Sequence, residues 1–189
     1  MLLCSEILIA IYRFLPLLQN RLYMAKLYIN KDIVADKDKM ENWYLTGEEG
    51  LSFPDIQNFL SWIDPNDHVI DIEIHSCGGD AVEGYAIYDA LRASGKQISC
   101  TAVGRCASMA TVILLAAAKE RRFAYPHAKF LIHKPYMASY DGDHDLETLE
   151  SIKSNLESEK NKMLALYVER TGSEASVIEA QMNKAGWFG

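Results

Sequence analysis

Residues 104–110 constrain the fold of this chain more than any other stretch. They read Gly-Arg-Cys-Ala-Ser-Met-Ala, and the apolar run 110–118 follows at once. Ala, Leu and Met favour helix, so Ser108 is expected in the first turn of a buried helix. A serine that merely caps a core helix is one interpretation of this segment. The other is catalytic, because the unpaired N–H groups and the positive dipole at a helix start suit a developing oxyanion.

Two further segments favour the catalytic interpretation. Residues 72–80 form a short β-type run that ends in Gly78 and Gly79, and such a pair allows a tight turn with an N–H that no Cβ shields. Residues 129–135 form a second β-type run, in which His133 comes 25 residues after the serine. Serine, histidine and glycine N–H groups are a nucleophile, a general base and oxyanion donors, the parts that acyl transfer needs.

In this order and at these separations, the three segments resemble the Clp protease proteolytic subunit family over residues 27–188. Members of that family carry a strand ending in a small-Gly-Gly turn, a Gly-x-x-Ala-Ser-Met nucleophile turn and a His-x-Pro after the next strand pair. Residues 84–91 also resemble the family's first helix after the double glycine. The segment from Tyr136, with its acidic Asp141 and Asp143, resembles the phage and prophage branch more than the housekeeping enzymes.

The resemblance implies an α/β fold of the Clp protease and crotonase type, with repeated β-β-α units, a mostly parallel sheet flanked by helices, and a long projecting helix. It implies a serine endopeptidase that hydrolyses unfolded or extended polypeptides inside an oligomeric chamber. Ser108 is then the nucleophile and His133 the general base. The oxyanion donors are the N–H groups of Gly79 and Met109. The residues expected to bind substrate are Gly78, Tyr136, Met137 and Ala138.

The third member of the catalytic triad is where this sequence departs from the family. The family's acid precedes an aromatic or apolar pair by two residues, and the pair here is Trp187 and Phe188, so Ala185 stands where Asp or Glu is expected. Alanine cannot orient an imidazole, and losing the acid's function can cost on the order of 10⁴-fold in turnover. Spacing selects no substitute among the polar side chains that are candidates: Glu179, Asn183, Asp141, Asp143 and Asp145.

Composition restricts the remaining possibilities. A chain of 189 residues that is 49% hydrophobic can bury one substantial core, so we expect a single domain over residues 24–189. The net charge of −7 argues against a nucleic-acid partner. The four cysteines lack zinc-type spacing and are interpreted as reduced thiols of a cytoplasmic protein: Cys4, Cys77, Cys100 and Cys106. We expect neither a metal nor a cofactor, and any ATP dependence has to come from a partner, because the sequence contains no phosphate-binding loop.

Residues 1–23 differ from the rest of the chain. Charged residues interrupt their apolar stretch, so no run reaches the ~20 apolar residues of a membrane span, and we expect no membrane association. No positive segment precedes the stretch, as a secretory signal would require. We expect that Met24 is the natural start or that the leader is removed; an amphipathic helix packing on a neighbour is the alternative. At the other end, the chain stops at Gly189, where the family continues with an acidic, Ala-rich tail.

Strand and helix patterns alternate from residue 25 onwards, which predicts a largely parallel sheet with helices packed on it. The predicted strands are 26–34, 43–45, 69–75, 97–103, 123–125 and 129–133, the last two pairing with each other around a turn at 126–127. The predicted helices are 53–63, 80–93, the serine helix, 143–170 and 173–183. By resemblance the helix 143–170 joins two rings, whereas its periodicity is equally compatible with packing on the domain's own core.

Three functions remain open on the sequence. The first is the endopeptidase, which would bind a peptide as an added strand beside Gly78 and Gly79 and near residues 136–138. The second is a crotonase-type acyl-CoA enzyme, and the third is a catalytically weak or inactive ring subunit. Ser108 with His133 favours the first, because crotonase chemistry needs no such nucleophile. By resemblance the protein forms a heptameric ring, single or stacked into a tetradecamer, served by an AAA+ unfoldase or acting alone in phage capsid maturation.

Overall fold

The computed structural model of the chain describes residues 24–137 and 145–189, in which strands and helices alternate. The strands are β1 (Met24–Ile29), β2 (Val69–Ser76), β3 (Gln97–Ala107), β4 (Arg122–Ala124) and β5 (Lys129–Leu131). The helices are α1 (Lys39–Thr46), α2 (Phe53–Trp62), α3 (Ala81–Ala93), α4 (Met109–Leu114), α5 (Leu146–Thr171) and α6 (Ala175–Lys184). The predicted α/β class with helices flanking a parallel sheet is confirmed.

The five strands form one parallel sheet in the order β1-β2-β3-β4, with β5 also paired to β3. Strand β4 pairs with residues 100–102 of β3, and β5 pairs with residues 105–107. The prediction that these two short strands pair with each other is therefore wrong. Strand β3 is 11 residues long and offers both of them a partner in succession along one edge. The turn between them is closed by a 2.9 Å hydrogen bond from the Ala128 N–H to the Tyr125 carbonyl.

Alternation along β2 separates the core from the outer face of the sheet. Ile70, Ile72 and Ile74 are fully buried and face the core. On the opposite face, the Lys26 ammonium lies 3.1 Å from Asp71 and 2.5 Å from Glu73. Burying an isoleucine side chain stabilises a fold by about 1.5–3 kcal/mol, so this alternation determines which face the helices cover.

Residues 43–45, predicted as a strand, lie in α1, so that prediction is wrong. The run Trp43-Tyr44-Leu45 has strand-favouring aromatic side chains, yet these residues are 54%, 83% and 73% exposed and pair with no strand among the described residues. The helix ends at Gly47, which adopts the left-handed conformation with φ +80°. Its start is tied to α2 by the Lys39 ammonium, 2.7 Å from the Asp55 carboxylate.

The long helix α5 begins after Asp145, whose carboxylate accepts a 2.8 Å hydrogen bond from the Thr148 N–H. Its buried residues, Met163 and Tyr167, lie in its C-terminal half. In the N-terminal half, Leu146 is 79% exposed. The predicted long helix is confirmed: its C-terminal half packs on the core and its N-terminal half extends beyond it. A role in joining two rings stays a prediction.

Several predictions fall on residues outside the two described ranges. These are the leader 1–23, the substrate-binding role of Ala138, and Asp141 and Asp143 as substitute acids. In the part of the chain that the structure describes, no helix is both long enough and apolar enough to cross a bilayer.

Candidate active site

Ser108 lies at the junction of β3 and α4, in a backbone conformation that few residues other than glycine adopt. Its φ is +52° and its ψ is −127°, a strain of about 1–3 kcal/mol. It is the N-cap residue of α4, one position before the predicted first turn, and its side chain makes no capping hydrogen bond. The capping interpretation is therefore not what the structure shows. No described residue hydrogen-bonds the serine hydroxyl, which leaves it available for attack.

Hydrogen bonds from two other elements hold this turn in place. The Ser108 N–H donates to the Leu131 carbonyl of β5 at 2.9 Å. The Thr111 hydroxyl donates to the Ser108 carbonyl at 2.6 Å. A threonine hydroxyl has one proton, so in its bond with the buried Tyr167 hydroxyl of α5 the tyrosine is the donor. Burial raises the pKa of Tyr167 well above its usual range, so this phenol remains a donor. The long helix thus helps to fix the serine turn.

Two guanidinium groups hold the far end of α4. Arg170 donates to the carbonyls of Leu115 and Ala117, at 3.0 and 2.9 Å. Arg122 also donates to the Ala117 carbonyl, at 2.9 Å. Cations at the end of a helix satisfy the carbonyl groups that have no helical partner. Because both ends of α4 are fixed, the strained serine turn cannot relax by a shift of the helix.

The two glycines after β2 place further backbone donors beside the serine. The Ile33 N–H donates to the Gly78 carbonyl and the Asp80 N–H donates to the Ile33 carbonyl, both at 2.8 Å, which forms a parallel bridge between Ile33 and Gly79. In such a bridge the N–H of the middle residue points away from the partner strand. No described residue accepts from the Gly79 N–H, and the Met109 N–H at the start of α4 has no helical acceptor. Both donors are free to bind an oxygen.

His133 follows β5 and is half-buried in the same cleft as the serine. Its Nδ1 lies 2.6 Å from the main-chain oxygen of Lys134. A carbonyl can only accept, so Nδ1 carries the proton and Nε2 presents a lone pair. The imidazole also packs against the ring of Tyr136, with 5.4 Å between the ring centroids. Among the described contacts, none joins the imidazole to the Ser108 hydroxyl or to a carboxylate.

A cleft of about 740 Å³ brings the predicted residues together. The predicted residues that line it are Gly78, Gly79, Ser108, Met109, His133, Tyr136 and Met137. Its lining carboxylates are Asp32, Asp38, Glu41 and Asp80, and no lysine or arginine of the described ranges lines it. The described residues place no group of three or more His, Cys, Asp or Glu side chains where they could hold a metal ion. The arrangement offers a hydroxyl nucleophile, an imidazole base and two N–H donors.

Comparison with known families bears on the functions left open by the sequence. The Clp protease family model matches residues 55–189, well over half of the chain. The chain belongs to the Clp protease family. The ATP-dependent Clp protease proteolytic subunit 1 of Chlamydia muridarum is 31% identical over 134 residues, which cover 69% of this chain and 67% of that protein. The ATP-dependent Clp protease proteolytic subunit 2 of Treponema denticola is 36% identical over 120 residues, which cover 63% of this chain and 58% of that protein. The resemblance is confirmed, and the crotonase alternative is not favoured.

One wall of this Clp protease cleft was missed by sequence reasoning and lies before the matched residues 55–189. It is formed by one face of α1 and the turn before it, through Asp38, Glu41, Asn42 and Leu45. Their three- and four-residue spacing was visible in the sequence, but the strand predicted at 43–45 obscured it. Cys77, to which no role was given, also lines the cleft with an exposed thiol.

None of the candidates for the triad acid within the described residues is placed at His133. Ala185 ends α6 in a left-handed conformation with φ +46° and is exposed. Glu179 pairs with a lysine of α5, and Asp145 caps that helix. Asn183 is exposed, and none of these three side chains hydrogen-bonds the imidazole in the described structure. The only acceptor that the described residues offer to Nδ1 is the Lys134 carbonyl.

Proposed function

We propose that this Clp protease family member is a serine endopeptidase with Ser108 as nucleophile and His133 as general base. The observation that carries this proposal is a strained serine whose hydroxyl is not used for capping, in one cleft with an imidazole whose Nε2 lone pair is open. Nε2 accepts the hydroxyl proton as Oγ attacks the scissile carbonyl, and the imidazolium then returns that proton to the leaving amine. A correctly placed general base contributes roughly 10²–10⁴-fold.

The negative charge that develops on the substrate oxygen is bound by the N–H groups of Gly79 and Met109. Both are main-chain groups, so their directions are determined before the substrate arrives. This role is supported because neither N–H group donates to an acceptor among the described residues. Removing one oxyanion donor typically costs about 10²–10³-fold in turnover.

The substrate is an unfolded or extended polypeptide that adds as a strand to the free edge beside Gly78 and Gly79. Ile33 occupies the other edge of this segment, so the incoming strand lies on the cleft side. Tyr136 and Met137 line the same cleft, and Ala138 follows them in the chain. Binding through main-chain hydrogen bonds tolerates many side chains, as expected for a peptidase of unfolded chains.

The proposal includes assembly into an oligomeric ring of cytoplasmic subunits, a heptamer that is single or stacked in pairs, with residues 24–189 as one proteolytic domain. An AAA+ unfoldase would deliver substrates, unless the subunit acts alone in phage capsid maturation. One observation supports a partner ATPase and another supports assembly with further copies of the chain. The relatives are named as proteolytic subunits of an ATP-dependent protease. The α5 helix exposes Leu146 and Leu149 by 79% and 48%, apolar surface that a second copy can cover.

The test is intact-mass labelling with a fluorophosphonate. A single adduct is expected on the unmodified protein and on the matched control Ser61→Ala, which removes an exposed serine on α2. No adduct is expected on Ser108→Ala. An adduct that persists in Ser108→Ala would contradict the assignment of the nucleophile. No adduct on the unmodified protein, together with an intact ring in native mass spectrometry, would instead establish a non-catalytic ring subunit.

A further inference from the structure

We propose that the main-chain carbonyl of Lys134, and not a carboxylate, positions His133, so that the site works as a Ser–His dyad. This inference rests on the proposed function. Its geometric basis is the 2.6 Å separation between Nδ1 and the Lys134 oxygen, which is short for an N–H···O hydrogen bond. The carbonyl acts through the imidazole and touches no reacting atom, so it is a positioning group.

A carbonyl can replace the orienting function of a triad acid because it selects the same tautomer. In neutral imidazole one nitrogen donates and the other accepts. When an asparagine replaces a triad aspartate, turnover falls by about 10⁴-fold because the wrong tautomer forms. An amide side chain can turn its NH₂ group toward Nδ1, whereas a main-chain carbonyl has no proton to offer. Lys134 therefore keeps the proton on Nδ1 and the lone pair on Nε2.

The chain around Lys134 restricts the direction of this carbonyl. Pro135 follows it, and a residue before proline is confined to extended conformations. The Tyr136 ring also packs against the imidazole, with 5.4 Å between the ring centroids. The imidazole is thus held by one hydrogen bond and one ring contact, both from the three residues that follow it.

The C-terminal segment shows why no carboxylate competes for Nδ1 there. Phe188 forms an antiparallel bridge with Phe130, with hydrogen bonds of 2.7 and 2.9 Å, and the two rings stack at 5.9 Å. Position 185 lies three residues before Phe188, where the family's acid is expected. Residue 185 is an alanine, whose methyl group cannot accept a hydrogen bond.

The proton balance of the dyad is complete without an acid. The Oγ–H bond of Ser108 breaks as the Oγ–C bond forms, and the proton moves to Nε2. The imidazolium then has two N–H groups, of which Nδ1–H stays on the Lys134 carbonyl while Nε2–H protonates the leaving amine. A water molecule repeats the same transfers to release the acyl group. A neutral carbonyl stabilises the imidazolium less than a carboxylate does, so the dyad is slower than a triad but competent.

The experiment weakens the carbonyl while the side chains of His133 and Lys134 stay unchanged. Incorporating lactic acid at position 135 converts the 134–135 amide into an ester, whose carbonyl is a poorer acceptor. The matched control is Pro135→Ala, which has the same methyl side chain and retains the amide. The readout is the rate of fluorophosphonate labelling as a function of pH in both proteins.

We expect the ester protein to label about three- to tenfold more slowly than Pro135→Ala, because the hydrogen bond that orients the imidazole is weakened. We also expect its half-maximal rate at a lower pH, because the weaker acceptor stabilises the imidazolium less. A role confined to folding would not move that pH midpoint. Equal rates and equal midpoints in the two proteins would overturn the inference.

Two further measurements test the inference on chains that retain Pro135. Nitrogen-15 NMR of the His133 side chain should show the Nδ1–H tautomer, and an Nε2–H tautomer would overturn the inference. Labelling should survive in Asp141→Asn and Asp143→Asn, and its loss in either would identify a carboxylate as the positioning group. Failure of the proposed function is distinguishable from all of these outcomes, because it leaves the unmodified protein without any adduct.

Discussion

Replacing Gly78 with alanine tests whether the close approach of the glycine turn to the serine turn builds the site. The φ of Gly78 is +88°, and a Cβ at this position would lie 2.6 Å from the Ala107 oxygen and 2.7 Å from the Met109 nitrogen. Ordinary contacts begin at 3.4 Å, so the Ala107 oxygen would be 0.8 Å too close. These are backbone atoms, which cannot rotate away, so the serine turn itself has to move.

Two costs are expected for Gly78→Ala. The left-handed backbone costs an alanine about 1–2 kcal/mol relative to glycine. Forcing the extra methyl group between packed segments costs about 1–3 kcal/mol more. The free energy of unfolding should therefore fall by about 2–5 kcal/mol. For a chain of this size, each kcal/mol lost lowers the Tm by about 2–4 °C. Displacing Ser108 by the better part of an ångström should also slow fluorophosphonate labelling by about 10²-fold.

Gly47→Ala is the matched control for this prediction. Gly47 has φ +80°, and a Cβ there would meet no atom within 4 Å. Gly47→Ala should therefore lower the free energy of unfolding by the backbone cost alone, about 1–2 kcal/mol, and leave the rate of fluorophosphonate labelling unchanged. Both variants are compared by thermal unfolding at one protein concentration and by labelling well below their Tm. If Gly78→Ala resembled Gly47→Ala in both measurements, the packing argument for the site would be refuted.

Three further results are expected. Ala185→Gly should raise the free energy of unfolding by about 1 kcal/mol, because alanine at φ +46° is strained, and an unchanged denaturation midpoint would count against this. At about pH 8, iodoacetamide should alkylate the exposed Cys77 and spare Cys100, because burial raises the pKa of the Cys100 thiol to about 12. Peptide mapping distinguishes the two thiols, and the Cys77 adduct should slow serine labelling because this residue lines the cleft. Partial burial raises the pKa of the Asp55 carboxyl, but the neighbouring Lys39 ammonium outweighs it, so the pKa of Asp55 lies below its usual value. A lowered folded pKa contributes stability that is complete above about pH 4 and is lost as the pH falls through the folded value. The stability difference between the protein and Lys39→Ala should therefore shrink on acidification, and a difference that stays constant from about pH 7 to about pH 3 would contradict it.

Local signals in the sequence predicted most of the fold, because they correspond to local physics. The isoleucines of β2 alternate, and the chain buries them on one face. Glycine marks helix ends, as at Gly172, which ends α5 in the left-handed conformation. The partner of a short strand is not a local property. Strands β4 and β5 were assigned to each other because they are adjacent in sequence, whereas both pair with the longer β3.

The aromatic run of α1 is a second case in which a local signal did not predict the structure. Strand propensity mainly reports how a side chain packs against neighbouring strands, and Trp43 and Tyr44 have no such neighbours among the described residues. At the candidate site, Ser108 and His133 could be proposed from the sequence because a hydroxyl nucleophile and an imidazole base are recognisable as residue types, and their roles stay predictions. The acceptor at Nδ1 could not, because it is a main-chain oxygen whose role depends on the direction of one carbonyl.

The two sides of the cleft differ in the contacts that hold them. The serine turn is fixed by the buried Thr111 and Tyr167 hydroxyls and by two guanidiniums at the far end of its helix. Helix α1, on the facing wall, has no buried residue and is tied to the core through Lys39. Catalysis needs the reacting atoms held to within a fraction of an ångström, whereas binding of varied side chains needs a wall that can adjust. The groups that hold the serine turn lie in residues 55–189, which the family model matches, and α1 lies before them.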